Sequence, residues 1–313
     1  MQNTTQAPDV LVVGDLLMDY QYWVQSMPAP GGDVAILASA QNSGGSAANT
    51  GIALRAQNVS CGFCGRIGVD PLGDELIDQM EQLGIDLSCL HRCGETGYTV
   101  TMIDQTGERT MFSYRGDGGT WRIGDALCAM FEKIRIFYVS GYMLLEPDQA
   151  AFAIEAAALA RAAGCWVMLD TAPTIGRVTP DIRSAFLQHT DVLLPNQSEL
   201  LMLAECDNPT QSIEKLLDIV PCVAVKMGGD GAQLMARPGF RLPHSSPLAD
   251  RLECHVPAEK VEPVDTTGAG DSFNAGFMAA FLASDRPEDW LAAGNRLAAQ
   301  TIVHRGAVSH FRA

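Results

Sequence analysis

A strand–helix rhythm constrains this chain more than any single residue does. Short apolar runs at 10–13, 61–67, 136–139, 165–169, 192–194 and 222–225 alternate with helix-patterned stretches at 47–56, 73–83, 147–163, 182–188, 197–204 and 212–219. Runs this short and this apolar read as strands buried on both faces. Strands joined through helices pair in parallel, because a parallel pair needs a long crossover. The rhythm predicts an α/β fold with a mostly parallel sheet covered on both sides. The 313 residues allow one large α/β domain or two small ones, and no internal repeat or low-complexity linker divides them.

Two segments, 20–42 and 98–114, break the rhythm with polar alternation. In the second, Y-T-V-T-M-I-D leads through a Q-T-G-E turn into R-T-M-F-S-Y. They predict a small accessory sheet at the edge of the main one. Its aromatics Tyr20, Tyr22, Trp23 and Phe112 either cover a site, pair with a second subunit, or belong to an ordinary edge hairpin.

Charge and cysteine usage exclude several functions. Lys+Arg minus Asp+Glu is 21 − 37 = −16, and the pI is near 4.6. Such a chain suits neither nucleic acid nor an anionic membrane. Any phosphate must be handled with only four lysines, Lys133, Lys215, Lys226 and Lys260. The N-terminus has no signal-peptide pattern, and the longest uncharged run is too polar for a membrane span. Nine cysteines, an odd number, fit reduced thiols in the cytoplasm. Cys61 and Cys64 in C-G-F-C, with Cys89, His91 and Cys93 further on, raise the idea of zinc or a redox pair. Their apolar flanks favour a buried strand instead, and the remaining cysteines read as small core residues.

Neither common nucleotide motif is present. No lysine is followed by Ser or Thr, which rules out a P-loop, and the first strand ends in G-D-L-L-M-D rather than G-x-G. The stretch V-D-T-T-G-A-G-D-S-F-N-A-G-F, 264–277, carries chemistry of another kind. A turn of small residues enters a helix predicted over 269–283. Gly268, Ala269 and Gly270 place backbone N–H groups at its N-terminus, an anion site reinforced by the helix dipole. Asp271 in the first turn either stabilises the dipole or accepts a proton from a nucleophile aimed at that anion.

This stretch resembles the C-terminal signature of the ribokinase-like (PfkB) carbohydrate kinases. G-G-S-A-A-N-T-G-I-A-L, 44–54, followed by G-R-I-G-V-D-P-L-G-D, 65–74, resembles the N-terminal one. Both stand in the family's order, and the likeness spans nearly the whole chain. The resemblance implies a three-layer α/β domain over 1–313 with a small β lid from about 16–43 and 98–115. It also implies transfer of the ATP γ-phosphoryl to a hydroxyl of a sugar or sugar-like substrate, with Mg²⁺. Asp271 then corresponds to the general base and the 268–270 amides to the anion hole. P-N-Q-S-E, with Asn196 and Glu199, matches a motif that organises Mg²⁺ and phosphate, although the same spacing makes a helix cap. Lys226, Gly228 and Gly231 in V-K-M-G-G-D-G-A match the nucleotide-lining segment, where a plain glycine hairpin turn is the alternative. Asn295, in a C-terminal helix, matches an adenine-side position. Asp265, Thr267, Thr301 and Gly306 match the loop that binds K⁺ in some members.

On the acceptor side the resemblance assigns Asp19, Gly44, Gly45 and Asn49 to the sugar. Asp15 fits a turn role. Glu146 is either an acceptor-side glutamate or a surface cap of the helix beginning at Pro147. The stretch 107–117, G-E-R-T-M-F-S-Y-R-G-D, resembles the lid of 2-keto-3-deoxygluconate kinases, so Arg115 either holds a substrate carboxylate or is a solvated lid arginine. A phosphosugar is disfavoured, because the acceptor motifs carry no cluster of Lys or Arg. The lid aromatics keep a nucleoside kinase open, and the lid's outer face is a candidate homodimer surface. The non-enzymatic alternative is a silent ligand-binding or regulatory protein.

Overall fold

The computed structural model describes residues 7–116 and 121–311; Asp117, the end of the lid stretch noted above, falls outside them. β1 (Val10–Val13) is followed by β2 (Leu17–Val24), β3 (Ile36–Gly44), α1 (Ser46–Ala56), β4 (Cys61–Ile67), α2 (Pro71–Gln82) and β5 (Asp86–Arg92). Next come β6 (Tyr98–Ile103), β7 (Arg109–Tyr114), α3 (Asp125–Phe131), β8 (Ile136–Ser140), α4 (Pro147–Ala162), β9 (Trp166–Asp170) and α5 (Pro180–Leu187). The chain continues through β10 (Val192–Leu193), α6 (Gln197–Ala204), α7 (Pro209–Leu217) and β11 (Cys222–Lys226). It ends with β12 (Ala232–Ala236), β13 (Leu252–Val256), α8 (Ala269–Ala283) and α9 (Pro287–Ile302).

Nine strands form the large sheet in the order β13-β12-β11-β10-β9-β8-β1-β4-β5, parallel from β11 to β5 and antiparallel at the β12 and β13 edge. Alternate residues of β1 enter different cores. Val10 and Val12 pack with α1, α2, α8 and α9, whereas Leu11 and Val13 pack with α3 to α7. This two-sided burial is why the strands are unbroken apolar runs, and it makes the architecture three-layered. From β1 the chain moves out to β4 and β5, then returns to β8 on the other side. The crevice at the carboxyl ends of the strands therefore opens beside β1.

The two irregular segments form a separate four-stranded sheet, β3-β2-β6-β7. Its register places Asp19, Gln21 and Trp23 on one face and Tyr20 and Tyr22 on the other, together with Tyr98, Phe112 and Tyr114.

Helices α2, α5 and α7 begin two or three residues before the apolar pattern does, at Pro71, Pro180 and Pro209. Proline is favoured at the first helical position, so the helix starts before its buried face appears. The edge strand β5 carries partly exposed residues without clean alternation, and β13 alternates over only five residues with no fully buried position, so neither stands out as an apolar run. Cys61 and Cys64 lie three apart on β4, so their thiols face opposite cores and cannot share a metal or pair. Burial pushes the Cys61 thiol up to about 12. Among the described residues, no cluster of three His, Cys, Asp or Glu can hold a metal, and no helix is long and apolar enough to cross a membrane.

Candidate active site

The carboxyl edge of the large sheet and the N-terminus of α8 meet at Asp271. Gly45, the N-cap of α1, has φ +102°, and a Cβ there would stand 2.2 Å from the Asp15 carbonyl oxygen. Only glycine lets α1 begin so close to the turn after β1. The first turn of α1 then faces Asp271: Ser46 Oγ donates to its Oδ1 at 2.7 Å, and Asn49 Nδ2 donates to its Oδ2 at 2.9 Å. Residues three apart share a helix face, so Ser46 and Asn49 grip both oxygens together. Burial, with the negative charge of Asp170 adding to it, pushes the Asp271 carboxyl up to about 6; the two hydrogen bonds and Lys226 oppose the rise. A carboxylate poised there suits general-base work on a hydroxyl.

Gly268 caps α8 at φ +73°, where a Cβ would press to 2.5 Å from the Ala307 methyl. Among the described residues, the amides of Gly268, Gly270 and Asp271 have no acceptor, whereas that of Ala269 donates to the Thr266 carbonyl at 3.3 Å. The three amides expected to meet an anion thus reduce to Gly268 and Gly270, and Asp271 adds its own. Lys226 Nζ lies beside this turn, paired with Asp170 Oδ1 at 2.6 Å and 3.4 Å from Asn274 Oδ1. Asn274 Nδ2 in turn donates to the buried Tyr138 hydroxyl at 3.0 Å.

Asn196 and Glu199 form a complete capping box on α6. Asn196 Oδ1 accepts from the Glu199 amide at 2.9 Å, and Glu199 Oε2 accepts from the Asn196 amide at 2.9 Å and from Thr171 Oγ1 at 2.7 Å. Burial raises the Glu199 carboxyl above its usual range.

A cavity of about 550 Å³ adjoins the α8 N-terminus, lined by Lys226, Gly228, Gly231, Gly270, Phe273 and Asn295. Gly228–Asp230 is also the tight turn between β11 and β12, so the hairpin and cavity-lining readings hold together. Asn295 Nδ2 donates to the carbonyls of Val256 and Pro257 at 2.9 and 3.2 Å, fixing the backbone at one wall.

The acceptor side departs further from expectation. Burial raises the Asp19 carboxyl, against a hydrogen bond from Gln21 and the nearby charge of Arg109. Gly44 packs so closely on Asp19 that a Cβ would sit 3.1 Å from its Cβ. Asn49, expected at the sugar, has its amide nitrogen on Asp271, which leaves a buried Oδ1 without a partner. Glu146 is exposed at the N-cap position of α4 and makes no cap hydrogen bond. Arg115 is only partly exposed: it pairs with Asp15 and lies 4.9 Å over the Tyr142 ring, so a substrate carboxylate would compete with Asp15 for it. Asp15 accordingly does more than turn the chain. Of the four lid aromatics, only Trp23 shares the Asp19 face.

The loop at 265 is closed on itself. Asp265 Oδ1 accepts from the Thr267 amide and hydroxyl at 2.8 and 2.6 Å, and Oδ2 accepts from the Gly306 amide at 3.0 Å. Arg109, at the start of β7, reaches both Asp265 and the Thr267 hydroxyl. The Thr301 hydroxyl turns away, to Ser272 Oγ at 2.7 Å and the Leu297 carbonyl at 3.0 Å.

Sequence reasoning missed Ser46, Asp170, Asn274 and Arg109. Ser46 had a signal in its spacing from Asn49, and Asp170 in ending a strand of a parallel sheet. Arg109 had no local signal.

A carboxylate beside free amides at a helix N-terminus, on the carboxyl edge of a doubly covered parallel sheet, is an arrangement suited to phosphoryl transfer to a hydroxyl. The profile of the pfkB family of carbohydrate kinases matches residues 7–312. An ATP-dependent ribose-1-phosphate kinase of Halopiger xanaduensis is 31% identical over 304 residues, 96% of this chain and 94% of the relative. A ribokinase of Arabidopsis thaliana is 26% identical, covering 96% of this chain and 78% of its own. The crystal structure of a ribokinase from Thermotoga maritima superposes with a TM-score of 0.80 at 26% identity, over 96% of this chain and 95% of that one. The chain belongs to the pfkB family of carbohydrate kinases. It is a phosphotransferase with an alcohol group as acceptor, a sugar or nucleoside kinase of this family.

Proposed function

We propose that the chain transfers the γ-phosphoryl of ATP to a hydroxyl of a neutral, polyhydroxylated sugar, with the four-stranded sheet as a lid. The observation that carries this reading is Asp271, gripped by Ser46 and Asn49 and set beside the free amides of Gly268 and Gly270. Asp271 takes the hydroxyl proton as the acceptor oxygen bonds to phosphorus. The bond to the bridging oxygen breaks, and ADP leaves with the electron pair. The free amides stabilise charge on the transferring group, at about 3 kcal/mol for each well-placed donor. The apolar wall around Phe273 and the glycines at 228 and 231 leave room for the nucleotide.

Asp170 and Glu199 fit Mg²⁺, which typically binds through one or two carboxylates and completes its shell with water and substrate phosphates. Bound there, the ion supplies positive charge to the phosphates. Lys226, between Asp170 and the α8 turn, adds a cation from the protein.

Two geometric facts favour the neutral sugar. A sugar-acid carboxylate would have to displace Asp15 from Arg115, and a nucleoside base would find only Trp23 on the Asp19 face. The lid's outer face exposes Tyr98, Phe112 and Tyr114, which supports a homodimer formed through it; a monomer by light scattering would remove that element. Use of ATP would be in keeping with a cytoplasmic reaction.

The test is an ADP-release screen over sugars, sugar acids, phosphosugars and nucleosides. Release with a neutral sugar is expected. ATP binding without transfer to any of them would instead support the silent ligand-binding alternative.

A further inference from the structure

The resemblance to K⁺-binding members points to Asp265, Thr267, Thr301 and Gly306, yet in this chain a cation of the protein, Arg109, already stands on the carboxylate of that loop. Such an ion needs oxygens turned inward to replace its water. A carboxylate offers about four acceptor positions. At Asp265, Oδ1 accepts from the Thr267 amide, the Thr267 hydroxyl and the Arg109 guanidinium, and Oδ2 accepts from the Gly306 amide. The Thr301 carbonyl accepts from the His304 amide at 3.0 Å, and its hydroxyl faces Ser272. Among the described residues no hydrogen bond reaches the Thr267 or Gly306 carbonyl, so what stands in a metal's place is the Arg109 charge on Asp265 and not a lack of oxygens.

We propose that Arg109 takes the place of a monovalent cation at this loop, so that the lid itself carries the charge and turnover does not need potassium. The side chain of Asp265 is only 11% exposed, so its charge requires a partner. Arg109 provides it from β7, a strand of the sheet that also carries Asp19. Its second nitrogen holds the Thr267 hydroxyl, and Thr267 precedes Gly268, whose free amide belongs to the phosphate turn. A dissolved ion would organise the loop alone. A guanidinium on the lid organises the loop and fastens the lid by the same contact, so sugar-side closure and shaping of the anion site become one event. Arg109 is a positioning residue, acting through Thr267 and Asp265.

The experiment compares wild type, Arg109→Ala and Arg109→Lys in potassium and in tetramethylammonium salts at matched ionic strength. It reads turnover with the acceptor that the ADP-release screen identifies and, independently, melting temperature without substrate. Turnover and melting temperature of the wild type are expected to be the same in both salts. Arg109→Ala is expected to lose at least about tenfold in kcat in tetramethylammonium and to regain most of it, with a higher melting temperature, in potassium. Arg109→Lys should keep an intermediate rate without potassium. Activation of the wild type by potassium of about tenfold or more would overturn the proposal. So would an Arg109→Ala protein that remains fully active in tetramethylammonium, or whose loss potassium does not restore. The melting arm needs no acceptor, so it stands even if the sugar-kinase assignment fails.

Discussion

The two ends of the crevice are built by opposite means. The proposed nucleotide end comes mostly from one contiguous quarter of the chain and works largely through backbone: the turns at 228–231 and 268–270, an apolar wall, and two lysines, of which Lys226 is already paired with Asp170. The acceptor end is assembled from side chains that lie far apart in sequence. Asp15 meets Arg115, Asn49 meets Asp271, and Arg109 stands between Asp19 and Asp265. Backbone at a helix N-terminus binds anions without any cationic residue. That is how a chain at −16 can handle phosphate.

If the nucleotide end relies on backbone and a divalent ion, chelation should produce the largest effect. Turnover is expected to vanish with EDTA and to return with added Mg²⁺ or Mn²⁺; persistence would show that Lys226 and the amides suffice. Next comes Gly268→Ala. Positive φ and the Ala307 methyl oppose a Cβ, so the free amides must shift. A loss of about 10²-fold or more in kcat is expected by single-turnover kinetics, with a lower melting temperature. At the acceptor end, Asp19→Asn should raise the acceptor KM by about tenfold and leave the ATP KM unchanged. Equal effects on both KM values would break the division between the two ends. The smallest effect belongs to Asn196→Ala, which removes the α6 cap. It should cost about 0.5–2 kcal/mol in urea unfolding.

The same contrast explains what was legible in the sequence. The six apolar runs gave strands and the signature stretches gave the α8 turn, because both are local patterns that the backbone obeys directly. Asp271 stood out for the same reason. Its grip by Ser46, and the Asp170–Lys226 pair beside it, depend on which strands neighbour which, information that no window of sequence contains. Arg115 shows the limit most clearly. Its place in the lid stretch was legible, but its carboxylate partner is Asp15, one hundred residues away. Arg66, Arg109 and Arg115 all act on Asp15 or Asp19; the last two share the lid stretch at 107–117, but nothing in that stretch reveals which carboxylates they meet.

The central claim is that the Asp271 carboxylate is the base and does not hold the nucleotide. The decisive measurement pairs calorimetric ATP binding with single-turnover transfer for wild type and Asp271→Asn across pH. With the carboxyl raised from 3.8 to about 6, the ionised base is lost as pH falls through 6, so wild-type kcat/KM should decline below that point. The fold favours the protonated acid, and this contribution to stability is full below 3.8 and lost as pH rises through 6. Asp271→Asn should therefore melt no lower than wild type at pH 8. ATP affinity should change little while transfer falls by about 10²- to 10⁴-fold and the acid limb disappears. Near wild-type transfer by the folded variant, or an unchanged acid limb, would contradict the account.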